Sequence, residues 1–218
     1  MNTPDRLLTS APADSTAVLD RYYRGHARLY DATRWSFLFG RTALIRSLAR
    51  LSPPPRNILE IGCGTGSNLL RLVRQFPEAA VTGLDLSADM LARARRKLKR
   101  GQWPITLLQQ RYDRLLYPEP VFDLIVFAYC LTMVNPGWER AVNSALRDLR
   151  PGGRLAVVDF HDTPFAGFRR WMEINHVRMD GHLLPYLDAQ CQPVERTLSN
   201  AYSGAWRYFM FIGHQPGA

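Results

Sequence analysis

One ten-residue stretch constrains this chain more than any other: Asn57-Ile58-Leu59-Glu60-Ile61-Gly62-Cys63-Gly64-Thr65-Gly66. Ile58, Leu59 and Ile61 supply the apolar body of a buried parallel strand. Gly62, Gly64 and Gly66 then let the backbone turn sharply and approach a ligand without interference from a Cβ. A helical pattern starts directly afterwards. Asp85 closes the next apolar run, Val81-Thr82-Gly83-Leu84-Asp85, where a carboxylate accepts hydrogen bonds from ribose hydroxyls. Strand, glycine turn, helix and carboxylate together form a cradle for a nucleoside-bearing cofactor.

Spacing then chooses among cofactors. A dinucleotide fingerprint beginning at Gly62 wants glycine or alanine at position 67, and Ser67 stands there. Glu60 would repel a pyrophosphate and suits a cationic, amine-bearing ligand. The run resembles the E-x-G-x-G-x-G motif of class I S-adenosylmethionine-dependent methyltransferases. That resemblance implies roles for particular residues. Asp85 binds the ribose and Leu86 flanks the adenine. The turn Gly62-Cys63-Gly64, closed by Gly66, approaches the methionine portion, and Glu60 anchors its amino end. Ala128, near the end of the fourth strand, lines the cofactor. Relatives carry an aspartate and a small residue after the third strand. This chain reads Gln110-Arg111-Tyr112-Asp113 instead, so Gln110, Arg111 or their backbone takes the adenine edge.

The rest of the chain alternates strand and helix. Strands are expected at 57–61, 80–85, 104–110, 122–130 and 153–160, with helices at 65–76, 88–99 and 137–149. A helix at 164–179 and an irregular insert at 180–192 containing Pro185 follow, then closing strands near 194–203 and 206–213. The pattern implies an α/β, Rossmann-like, doubly wound sheet of seven mostly parallel strands with an antiparallel C-terminal edge hairpin. Leu149-Arg150-Pro151-Gly152-Gly153 resembles the segment before the fifth strand of the same class, and turn chemistry alone also explains it. Residues 1–15 read as a disordered lead-in. Residues 16–55 read as N-terminal lid helices, the second running from about Ser36 to Leu51 and ending at Pro53-Pro54-Pro55. Residues 56–218 are the methyltransferase domain, and the whole is a single domain.

Bulk properties exclude several classes. At 218 residues and 46% hydrophobic content the chain suits one well-buried domain. No apolar run reaches membrane-spanning length, the N-terminus lacks a secretory signal, and Cys63, Cys130 and Cys191 have neither disulfide nor metal-ligand spacing. A cytoplasmic protein without a metal is expected. The net charge of +9 is densest at Arg93, Arg95, Arg96, Lys97, Lys99 and Arg100. That block is a solvated helix face, or it attracts an anionic membrane or nucleic acid. The segment Phe127-Ala128-Tyr129-Cys130-Leu131 lacks the motif of DNA amino-methyltransferases, and no aromatics interleave the basic block to stack bases. Nucleic acid is therefore not the expected partner.

Catalytic candidates lie beyond the fourth and fifth strands. Tyr129 occupies the position facing the methyl group, and His161 and Asp162 are placed to accept a proton or orient the acceptor. His176 and His182 read equally well as structural. Tyr22, Tyr23, Tyr30, Trp35, Tyr129, Trp171, Tyr202 and Trp206 are aromatics whose faces can hold an ammonium, although most aromatics at helical spacing are core. A narrower resemblance covers Tyr22 to Arg41, Met179-Asp180-Gly181-His182-Leu183-Leu184-Pro185 and Trp206-Arg207-Tyr208-Phe209, which look like betaine-lipid N-methyltransferases. It implies a lipid-headgroup amine as acceptor and peripheral contact with an anionic membrane. Tyr23 would lie near the cofactor and Tyr30 near the acceptor. Alternatives stay open: C- or O-methylation of a quinone precursor or other small molecule, carboxypropyl transfer, or a non-catalytic binding module.

Overall fold

The computed structural model describes residues 37–99, 101 and 103–215. Seven strands pair in the order β3-β2-β1-β4-β5-β7-β6. They are β1 (Asn57–Ile61), β2 (Ala80–Asp85), β3 (Ile105–Gln109), β4 (Phe122–Ala128), β5 (Leu149–Phe160), β6 (Gln192–Ala201) and β7 (Trp206–His214). The first five run parallel, and β7 and β6 close the sheet antiparallel. Strand order reverses between β1 and β4, so the crevice beyond their carboxyl ends is the place where such sheets bind ligands.

Among the described residues six α-helices cover the two faces: α1 (Arg41–Leu48), α2 (Ser67–Gln75), α3 (Ala88–Lys99), α4 (Trp138–Asp148), α5 (Ala166–Ile174) and α6 (Leu183–Gln190). Alternation along β5 shows how the two cores arise. Ala156, Val158 and Phe160 face one core with Leu44, Leu72 and Leu91 from α1 to α3. Leu155 and Val157 face the other, with Val142 of α4, Leu187 of α6 and Phe209. A central strand buried on both faces needs such a continuous apolar run.

Four expectations are corrected in detail. The 36–51 helix starts only at Arg41, because Gly40 is left-handed (φ 77°) and a Cβ there would lie 2.7 Å from the Tyr208 ring. The stretch taken as an irregular insert contains α6. Pro185 is its third residue, in the first turn, where no intrahelical acceptor awaits its missing N–H. β4 stops at Ala128 because Tyr129 turns left-handed (φ 57°). The 164–179 helix ends at Ile174, since His176 (φ 62°) forms a Schellman cap. Its N–H reaches Glu173 O at 2.9 Å, and Val177 N–H reaches Met172 O at 2.9 Å. His176 is accordingly structural. Of the expected lid only residues from Phe37 onward are described; Tyr22, Tyr23, Tyr30 and Trp35 lie outside the described residues.

Candidate active site

The glycine turn is held by its neighbours' backbone. Gly62 and Cys63 N–H both donate to Leu84 O, at 2.8 and 3.0 Å, which pulls the end of β1 onto the end of β2. Asp85 then works from both oxygens. Oδ2 accepts Gly64 N–H at 2.7 Å and Oδ1 accepts Ser87 N–H at 2.9 Å, so the carboxylate fixes the turn and the entry to α3. Gly62, Gly64 and Gly66 have φ of 69°, 54° and 74°, a region costly for any side chain. Space is as restrictive as conformation. A Cβ on Gly62 would sit 2.5 Å from Cys130 Sγ, and one on Gly66 would sit 3.2 Å from Ala94 Cβ.

Glu60 is 2% exposed at the base of this turn. Burial, reinforced by the Glu60 and Asp85 carboxylates, drives the Cys63 thiol far above its usual range, so Cys63 is neither nucleophile nor thiolate ligand. Lys97, within the basic block, does not merely face solvent: its Nζ donates to Ser67 Oγ at 2.7 Å and Thr65 Oγ1 at 3.2 Å, bracing the turn from α3. After β3 Tyr112 is turned inward and donates to Asp148 Oδ2 at 2.7 Å. Gln110 and Arg111 stay on the exposed rim after β3.

Replacing Gly62 by alanine is expected to destabilise the fold by about 1–3 kcal/mol in thermal or urea unfolding. A Gly62→Ala, Cys130→Ala double variant should recover part of that loss, because the clash with Sγ is removed.

Beyond β4 and β5 the organising group is Asp159, which is fully buried. Its carboxylate accepts Thr132 Oγ1–H at 2.6 Å, Phe160 N–H at 2.8 Å, Cys130 N–H at 3.1 Å and Thr132 N–H at 3.3 Å. These bonds shape the loop after β4. Burial nevertheless raises Asp159 to about 6, with the hydrogen bonds opposing the shift. Tyr129 lies in the α1–α3 core, its ring 4.7 Å from Phe160, and its hydroxyl donates to Phe39 O at 2.8 Å. Burial, with Asp159 and Tyr208 nearby, pushes that phenol well above its ordinary range.

His161 and Asp162 do not join Tyr129. The His161 ring packs on Phe209 of the opposite core and lies 3.2 Å from where a Gly181 Cβ would stand. Burial lowers its pKa, so the imidazole is neutral near pH 7. Asp162 is gripped by Arg207, which donates through Nε at 2.6 Å and through Nη2, and this holds its carboxyl below the usual range. Asp180 is likewise gripped by Arg178 Nε at 2.7 Å and by His182 Nδ1. His161 therefore packs against the core on the face of the sheet opposite Tyr129.

Comparison with known proteins follows this geometry. A methyltransferase-domain family model matches residues 58–153, from β1 into the start of β5. The chain is 35% identical over 148 residues to phosphatidylethanolamine N-methyltransferase of Cereibacter sphaeroides, covering 65% of this chain and 68% of that protein. The chain belongs to the class I S-adenosylmethionine-dependent methyltransferases. This methyltransferase is also 31% identical over 158 residues to demethylmenaquinone methyltransferase of Thermus thermophilus, spanning 72% of its own length and 66%, just under two thirds, of that relative's. Among solved structures it resembles the N-methyltransferase NodS from Bradyrhizobium japonicum in complex with S-adenosyl-L-homocysteine, with a TM-score of 0.66 and 27% identity over 81% of this chain and 85% of that one.

The residues present fit the class's methyl donor. A turn that excludes a Cβ, a carboxylate at the end of β2 and a buried glutamate beneath the turn provide donors and acceptors of the right sign. S-adenosylmethionine brings a methyl group already activated on a sulfonium, so the protein's share is binding, alignment and exclusion of water. The sequence pointed to the cradle but missed Asp159, Thr132 and the Asp162–Arg207 pair. A carboxylate within Val157-Val158-Asp159-Phe160 was the available signal, because a charge inside an apolar strand needs several donors.

Proposed function

We propose that this methyltransferase N-methylates an amine on a lipid headgroup or small molecule, in the manner of the betaine-lipid enzymes. The observation that carries this is the scarcity, among the described residues, of uncommitted proton acceptors where the methyl group would be delivered. Tyr129 is committed to Phe39 O, Asp159 spends its oxygens on the loop after β4, and His161 lies on the far face of the sheet. An amine that enters neutral needs no enzymic base, whereas a phenol or enol carbon does. The aromatic rings around Trp206 add faces suited to a developing ammonium, and two of the relatives carry N-methyltransferase names.

Glu60, the backbone of Gly62 to Gly66, Asp85, Leu86 and Ala128 are the proposed cofactor contacts, with Gln110 and Arg111 at the adenine rim. Residues 16–55, with Tyr23 and Tyr30, are the proposed lid. Peripheral contact with an anionic membrane is supported by exposed Phe165, Trp171 and Ile174 beside exposed Arg170, and by the positive net charge. No helix among the described residues is long and apolar enough to cross a membrane.

C- or O-methylation of a quinone precursor is the second reading, favoured by the match to the Thermus protein over 72% of this chain. The two are separated by the variant His161→Ala and by pH. With phosphatidylethanolamine vesicles as acceptor, kcat/KM should rise with pH as the amine loses its proton, and His161→Ala should change it less than about threefold. No transfer to the vesicles, together with transfer to a demethylated naphthoquinol that falls about a hundredfold or more in a His161→Ala variant still binding S-adenosylhomocysteine, would instead assign His161 as a general base and sink the amine reading.

A further inference from the structure

Two nitrogen donors on the aromatic side of the site are buried and have no hydrogen-bond partner among the described residues: Trp206 Nε1 and Arg169 Nε. Trp206 is 5% exposed. Its indole lies among the rings of Tyr202 (5.0 Å), Phe37 (5.3 Å) and Phe168 (5.5 Å), none of which pairs with its N–H. A buried donor left unpaired is costly, and a fold that keeps one beside a binding site keeps it for a ligand.

The two donors share one frame. Arg169 Nη2 donates to Thr163 O at 2.6 Å, Thr163 Oγ1 donates to Ala205 O at 2.7 Å, and Ala205 immediately precedes Trp206. Phe168, the neighbour of Arg169, stacks on the Trp206 ring. Asp162, bonded to Arg207 through both oxygens, also lies within electrostatic reach of Arg169 but makes no hydrogen bond to its Nε. The frame also touches the loop after β4. The Phe39 ring lies 6.2 Å from Trp206, and its carbonyl takes the Tyr129 hydroxyl.

We propose that Arg169 and Trp206 form an oxyanion subsite that takes the carboxylate or phosphate of a zwitterionic amine acceptor. This rests on the amine reading above and narrows its substrate class. Guanidinium and indole N–H groups only donate, so the pair recognises an anion and offers nothing to a neutral amino alcohol.

The test follows the Trp206 indole N–H resonance in 15N-labelled protein saturated with S-adenosylhomocysteine, assigned by its absence in Trp206→Phe. O-phosphoethanolamine, homoserine and micelles containing phosphatidylethanolamine are titrated in, with ethanolamine as the amine lacking an oxyanion. The resonance should move with at least one of the first three and stay fixed with ethanolamine. Arg169→Gln should weaken that probe at least tenfold and leave S-adenosylhomocysteine affinity unchanged. Response to a soluble probe marks a free metabolite, and response to micelles alone marks a lipid headgroup. A resonance unmoved by all three, or moved equally by ethanolamine, overturns the subsite. Labelled methyl transfer to the same amines is scored in parallel. Transfer to ethanolamine as readily as to the zwitterions overturns the subsite and leaves N-methylation standing. Transfer only to a demethylated naphthoquinol overturns N-methylation itself.

Discussion

Asp85→Ala is expected to weaken binding of S-adenosylmethionine and S-adenosylhomocysteine at least a hundredfold while the protein still folds. The carboxylate has two tasks at once. It accepts Gly64 N–H and Ser87 N–H, setting the turn and the start of α3, and it is the group proposed to accept the ribose hydroxyls of the cofactor. Hydrogen bonds to a charged acceptor are worth about 1.5–3 kcal/mol each, and a hundredfold in affinity corresponds to about 3 kcal/mol. Asp85 is half-buried, so water can reach the two N–H groups it releases and the stability loss should stay near 1 kcal/mol. Asp85→Asn, which keeps the shape and one acceptor oxygen, should fall between. Calorimetric titration gives the affinities and thermal unfolding the stability; an unchanged affinity in the alanine variant would remove the cofactor assignment.

The second large effect belongs to Asp159. Removing it as Asp159→Ala strands the Thr132, Cys130 and Phe160 donors in a dry loop, and a loss of about 4 kcal/mol is expected at neutral pH. The pH dependence is more diagnostic. Asp159 is raised from 3.8 to about 6 in the folded protein, so between those values the native state holds a proton that the unfolded chain has released. Its contribution to stability is therefore fully present below about pH 4 and is lost as pH rises through 6, a change of roughly 3 kcal/mol. His161 and His182 act in the opposite sense: their lowered pKa values make stability fall as pH drops below the ordinary histidine range. Urea unfolding of the wild type and of Asp159→Asn across pH 4 to 7 isolates the carboxylate, because the histidines are common to both. The difference curve should slope across that window, and a flat one would mean that Asp159 ionises normally.

What the sequence made legible, and what it hid, divides by range. The strands around the glycine turn were readable because Ile58 to Ile61 and Val81 to Asp85 are short apolar runs followed by residues that turn or cap. Asp85 was readable because it stands at a strand end where a ligand, not a core, awaits. The facing of His161 was not readable. A shift of one residue along β5 sends a side chain to the opposite core, and His161 falls on the parity of Val157 rather than of Phe160 and Tyr129. The Asp162–Arg207 pair depends on β7 running antiparallel beside β5, with His161 N–H bonded to Arg207 O and Arg207 N–H to Asp162 O, a register that no local pattern states. Pro185 misled because proline opposes a helix in general and is tolerated in its first turn.

Mass spectrometry of lipid extract, amines and a demethylated naphthoquinol incubated together with purified protein and methyl-deuterated S-adenosylmethionine tests the central claim most directly. Labelled methyl groups are expected on nitrogen, one mass increment for each transfer, in an amine that also carries a carboxylate or phosphate. Label confined to a ring carbon or an oxygen of the quinol would contradict it.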